Sequence, residues 1–184
     1  MVSRVRSIAR GQFYYGWVIV AVGFIIGLVM VTFRLYSFGV FVKPISEDMG
    51  WSRTAISGVL SFSTVVEGLA ALLIGSILDK RGARLLMVFG IAITGVGFIA
   101  LGFMQTIWQF YLIRAFVIGI GLTCGGNLPI NVSIANWFIR KRGKAVSIGL
   151  MGASLGGAVM TPFAAYLISV YGWRSAWVVC GVLM

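Results

Sequence analysis

Apolar residues run in long stretches, from Trp17 to about Val42, then at about 54–78, 85–104, 107–138 and 145–170. A further stretch begins near Ser175 and stops at Met184. Short polar clusters rich in Lys and Arg separate them. About 20 residues at 1.5 Å rise cross the hydrocarbon core of a bilayer, so each complete run predicts a transmembrane helix. The expected fold class is all-α: a polytopic transmembrane bundle of five complete helices and a truncated sixth. Residues 175–184 supply about half a span, so the chain reads as a piece of a longer polypeptide whose C-terminal half is missing.

The fourth run is too long for one straight crossing. From 107 to 138 it would measure about 48 Å as a continuous helix, and Gly125-Gly126 followed by Pro129 predicts a break, kink or tilt within it. Interrupted helices are tolerated where they line a cavity or pack in protein. Glycine is frequent throughout, with 25 in 184 residues. The pairs Gly23/Gly27, Gly121/Gly125 and Gly152/Gly156 have the spacing that lets helix backbones approach closely.

Composition agrees with a membrane protein: 60% of residues are hydrophobic and 10% charged, with mean hydropathy +1.02. The absence of histidine excludes a His-based triad and a His-ligated metal. The four acids, Glu47, Asp48, Glu67 and Asp79, are too scattered for a carboxylate metal cage. Cys124 and Cys180 fall in apolar runs and read as packing residues. No catalytic residue, metal or cofactor is expected, and the chain is not read as an enzyme. The net charge of +11 lies beside the apolar runs, which points to membrane topology rather than nucleic acid. With the N-terminus in the cytoplasm, the inner segments hold Arg4, Arg6, Arg10, Lys80, Arg81, Arg84, Arg140, Lys141, Arg142 and Lys144. The outer loops hold Lys43, Arg53 and Arg174. That asymmetry sets the expected orientation.

Between the second and third runs lies Gly75-Ser76-Ile77-Leu78-Asp79-Lys80-Arg81-Gly82-Ala83-Arg84. It resembles the G-x-L-x-D-[RK]-x-G-x-[RK] motif of the major facilitator superfamily, with Gly75, Asp79, Lys80, Gly82 and Arg84 matching. Gly82 permits a tight turn and Gly75 the close approach of another helix. A carboxylate at a helix C-terminus faces the negative end of the dipole, so Asp79 needs a compensating partner. The resemblance implies that this acid latches the two halves of a carrier together at a cytoplasmic gate. Tyr15-Gly16-Trp17, Tyr36-Ser37-Phe38-Gly39-Val40-Phe41 and Gly50-Trp51-Ser52-Arg53 look like bacterial oxalate/formate antiporter relatives. Asn136-Trp137-Phe138-Ile139-Arg140-Lys141-Arg142-Gly143-Lys144-Ala145, with Gly149, Gly152 and Gly156, is similar to the monocarboxylate transporter family. The resemblance implies the N-terminal half of a twelve-helix carrier.

Six residues are candidates for a substrate pathway. Arg34 and Arg114 lie within runs and outnumber Glu67, the acid near the centre of the second run. An arginine fork suits bidentate binding of a carboxylate, and Arg34 sits beside Tyr36, in a stretch that resembles carboxylate carriers. Alternatively, Arg34 snorkels to the outer interface or pairs with an acid in the missing half. Arg114 stands five residues before Gly119, where many proton-coupled carriers of the superfamily have an arginine at four. On a straight helix the extra residue turns its side chain by about 100°, and snorkelling toward Trp108, Phe110 and Tyr111 is the simpler expectation. Glu67 reads either as a proton-titrating coupling residue or as half of an ion pair with an arginine. Asn127 and Asn131, four apart, share a helix face and either bond a carboxylate or pack between helices.

These features point to a secondary transporter of small organic anions, of monocarboxylate or oxalate/formate type, working by alternating access. A carrier of an unrelated solute or drug, or a non-transporting receptor or assembly subunit, is the alternative. The expected partners are the lipid bilayer, a small anion coupled to protons and the missing C-terminal half, with no nucleic acid. The expected location is a bacterial-type inner membrane, with the N-terminus cytoplasmic.

Overall fold

The computed structural model describes residues 15–31, 37–138 and 142–184. Among them every regular element is helical. Helix α1, Tyr15–Ile26, runs into a π turn at Gly27–Val31, and α2 covers Ser37–Met49. Helix α3 spans Arg53–Arg81 and α4 spans Ala83–Gly102. The fourth run contains α5 (Ile107–Leu112), a π turn (Ile113–Ile118), α6 (Gly119–Gly125) and α7 (Asn127–Trp137). Helix α8, Arg142–Val182, is interrupted at Gly172, whose φ of 78° and ψ of 162° lie outside helical space. Among the described residues, four stretches are long and apolar enough to cross a membrane: Arg53–Leu78, Ala83–Gly102, Ile107–Ile134 and Gly143–Val182.

Local chemistry sets several of the ends. The Ser52 hydroxyl accepts from the Ala55 N–H at 3.2 Å to open α3. Gly82, at φ 80°, supplies the left-handed turn into α4. Thr106 and Gln109 form a reciprocal capping box before α5. Between α6 and α7, Gly126 leaves helical space at φ −85°, ψ −147°. Its N–H closes α6 on Leu122 O at 2.8 Å. Pro129 then sits in the first turn of α7, where a missing N–H is harmless. The Gly-Gly and proline of the fourth run thus end one helix and start another.

Packing is close where glycines cross. A Cβ on Gly90 of α4 would strike the backbone of Gly121, Cys124 and Gly125, and one on Gly152 of α8 would strike the backbone of Phe24. These contacts bring α4 against α6 and α1 against α8. The part of α8 beyond Gly172 runs antiparallel to α4: Gly102 meets Arg174 O and Val178, and Gly95 meets Gly181 O. Trp177 is fully buried there, stacked on Phe41 with centroids 3.8 Å apart and on Phe98 at 5.2 Å. At the same end the Trp173 indole donates to Asp48 Oδ2 at 3.2 Å, and Arg174 lies 3.9 Å from that oxygen. That fastens the end of α2 to the turn at Gly172.

Candidate functional site

Helices α3 and α6 lean together along a face that holds one buried ion pair. Arg114 Nη1 lies 3.7 Å from Glu67 Oε1, with the residues 1% and 7% exposed. A lone charge at this depth is costly, and pairing offsets part of that cost. The Arg114 guanidinium also stands 6.0 Å from the centre of the Phe38 ring. Gly119 makes room for the acid, since a Cβ there would come within 3.2 Å of Glu67 Cγ.

The backbone explains how Arg114 reaches this face. The Gly119 N–H bonds to Arg114 O, an i→i+5 closure, inside the π turn Ile113–Ile118. A π turn takes up one extra residue. The five-residue spacing therefore does not swing Arg114 round as a straight α-helix would. The snorkelling expectation is corrected by the same geometry: Arg114 is buried, Trp108 is 74% exposed and Phe110 is fully buried.

Beside Glu67 a cleft of about 430 Å³, lined by both polar and apolar side chains, opens at the break between α6 and α7. Thr64, Glu67 and Gly68 line it from α3, with Thr123, Asn127 and Asn131 across from them. Three of the expected pathway residues, Glu67, Asn127 and Asn131, thus share one cleft, and Arg114 is joined to it through Glu67. Arg34 and Tyr36 lie outside the described residues. Sequence reasoning missed Thr64 and Thr123. Spacing offered a signal for Thr64 alone, three residues before Glu67 on the same helix face, whereas Thr123 stands four before Asn127 across the break at Gly126. A second cavity of about 580 Å³ lies between α1, α4 and α7. Apart from Arg84, Ser133 and the Trp137 indole its lining side chains are apolar, so it lacks converging polar groups. Among the described residues no cluster of metal-ligating side chains occurs.

The gate motif is only partly visible. Gly82 makes the turn at positive φ, and Arg84 is exposed at the start of α4. A Cβ on Gly75 would meet nothing within 4 Å, so no described helix of this chain makes the close approach that its glycine permits. The Asp79 and Lys80 side chains lie outside the described part.

The family model of the Major Facilitator Superfamily matches residues 12–184. The chain belongs to the major facilitator superfamily. It is an integral, multi-pass membrane protein. A probable L-galactonate transporter of Escherichia coli (strain K12) is 33% identical over 141 residues, covering 76% of this chain and 30% of that protein. Monocarboxylate transporter 2 of Homo sapiens is 26% identical over 172 residues, 92% of this chain and 35% of the relative. Monocarboxylate transporter 6 of Homo sapiens is 27% identical over 143 residues, 78% and 28% of the two chains. The chain spans about a third of the length of these curated relatives.

Proposed function

We propose that this chain is the N-terminal six-helix half of a secondary transporter that moves small organic anions by alternating access. The observation that carries the reading is the buried Glu67–Arg114 pair beside a cleft with converging polar side chains at an interrupted helix. Charged side chains within a membrane mark substrate and ion pathways, and broken helices commonly bound transporter sites. Relatives named for L-galactonate and for monocarboxylates support a carboxylate cargo.

Glu67 is the group we assign to the coupling proton. Its carboxylate is held by Arg114, and protonation would remove that attraction and let α3 and α6 shift. Arg34, beside Tyr36, supplies the fork for the substrate carboxylate, because Arg114 is already engaged by Glu67. Asp79, with Gly75, Lys80, Gly82 and Arg84, closes the cytoplasmic side against the second half. The N-terminus lies in the cytoplasm of a bacterial-type inner membrane.

The test is uptake by the complete carrier in proteoliposomes, with labelled carboxylates and an imposed pH gradient. Carboxylate accumulation that the gradient drives and Glu67→Gln uncouples is the expected result. Transport of a neutral solute, with no carboxylate moved, would remove the reading.

A further inference from the structure

The cleft beside Glu67 has amide donors on Asn127 and Asn131, and next to them a set of acceptors with no proton left to give. Thr64 donates its hydroxyl proton to Leu60 O at 2.9 Å, and Thr123 donates to Gly119 O at 2.8 Å. A hydroxyl carries one proton and two lone pairs, so each oxygen can now only accept. Asn131 Oδ1 is buried and has no hydrogen-bond partner among the described residues. Buried acceptors in native proteins are normally satisfied, so this oxygen calls for a donor. Glu67 adds a carboxylate, itself acceptor-only. A simple carboxylate substrate is also acceptor-only, so it has no proton to give to this set. A ligand hydroxyl does.

We propose that the cleft reads the hydroxyl groups of a polyhydroxylated monocarboxylate, the sugar-acid class. Its hydroxyls donate to Asn131 Oδ1, Thr123 Oγ1 and Thr64 Oγ1. Its carboxylate goes to donors outside this set. The inference rests on the anion-carrier reading and narrows it. The cleft volume of about 430 Å³ falls in the range of small-molecule sites, about 300–1,000 Å³. A site built to hydrogen-bond hydroxyls rejects an analogue lacking them, because its buried polar groups are then left unpaired.

The test compares galactonate with hexanoate, which has the same carbon count and carboxylate but no hydroxyls, in proteoliposomes of the complete carrier. The expected KM for galactonate is at least tenfold below that for hexanoate. Asn131→Leu and the near-isosteric Thr123→Val should each narrow that ratio at least threefold. Thr123→Val decides the matter if Asn131→Leu fails to fold. Equal handling of the two acids, or an unchanged ratio in Thr123→Val, would overturn the inference while leaving an anion carrier in place. Sodium-dependent uptake with the two acids handled alike would give the acceptors to a cation and also overturn it. Uptake of no carboxylate at all would remove the carrier reading and this one together.

Discussion

Arg114 and Glu67 meet across α3 and the π turn, 3.7 Å apart and almost wholly buried. Each is the other's compensation, so the pair should respond asymmetrically to mutation. Removing one partner leaves a charge in a low-dielectric setting, which typically costs about 3–5 kcal/mol. Replacing both by apolar residues of similar volume is often neutral or stabilising. Arg114→Met and Glu67→Met should therefore each lower the thermal midpoint of the purified carrier, while the double variant regains it without transport. Additive losses in the double variant would show that the two residues do not depend on each other.

Glycines at helix crossings make a second contrast. Gly90→Ala and Gly152→Ala drive a methyl into backbone, where neither side chain nor rotamer can yield. Overpacking of this kind costs about 1–3 kcal/mol or more. Gly39 sits in α2 with nothing within 4 Å of an added Cβ, so Gly39→Ala should be neutral or gain about 0.5–1 kcal/mol from helix propensity. Expression level and thermal midpoint of the three variants check the ranking.

Much of this architecture was legible because glycine and proline act locally. Gly125-Gly126 and Pro129 marked the break in the fourth run, and Gly82 marked the turn between α3 and α4, since both depend on backbone sterics. Hydropathy reported the membrane instead. Its first run ends near Val42, yet α2 continues through Lys43 and Pro44 to Met49, because a helix does not stop where its lipid contact stops. Arg114 was the hardest residue to read. Residue spacing converts to direction only when 100° per residue holds, and the π turn breaks that rule at this point. Thr64 and Thr123 were passed over because hydroxyls in apolar helices are usually bonded back to their own carbonyls. Both are so bonded here, and the cleft they face became visible only once α3 and α6 were packed.

Orientation can be checked directly. Reporter fusions after residues 50, 82 and 106 should lie outside, inside and outside, as the bias of Lys and Arg requires. A cytoplasmic signal at residue 50 would reverse the topology and place the Gly82 turn on the wrong side for a cytoplasmic gate.

The π turn gives the last test, because its role can be separated from side-chain chemistry. Gly119 N–H reaches Arg114 O across five residues, where an α-helix would span four. Phe116 lies inside this turn and is 46% exposed. Deleting it should let 113–118 close as ordinary α-helix with the arginine still one turn before the glycine and still against Glu67. The thermal midpoint should then stay within about 3 °C of the parent, the shift expected for about 1 kcal/mol in a chain of this size. Inserting an alanine after Phe116 should turn Arg114 about 100° away from Glu67. The cost should match the loss of one partner, about 3–5 kcal/mol. A deletion as damaging as the insertion would mean that the π turn is not what aims Arg114 at Glu67.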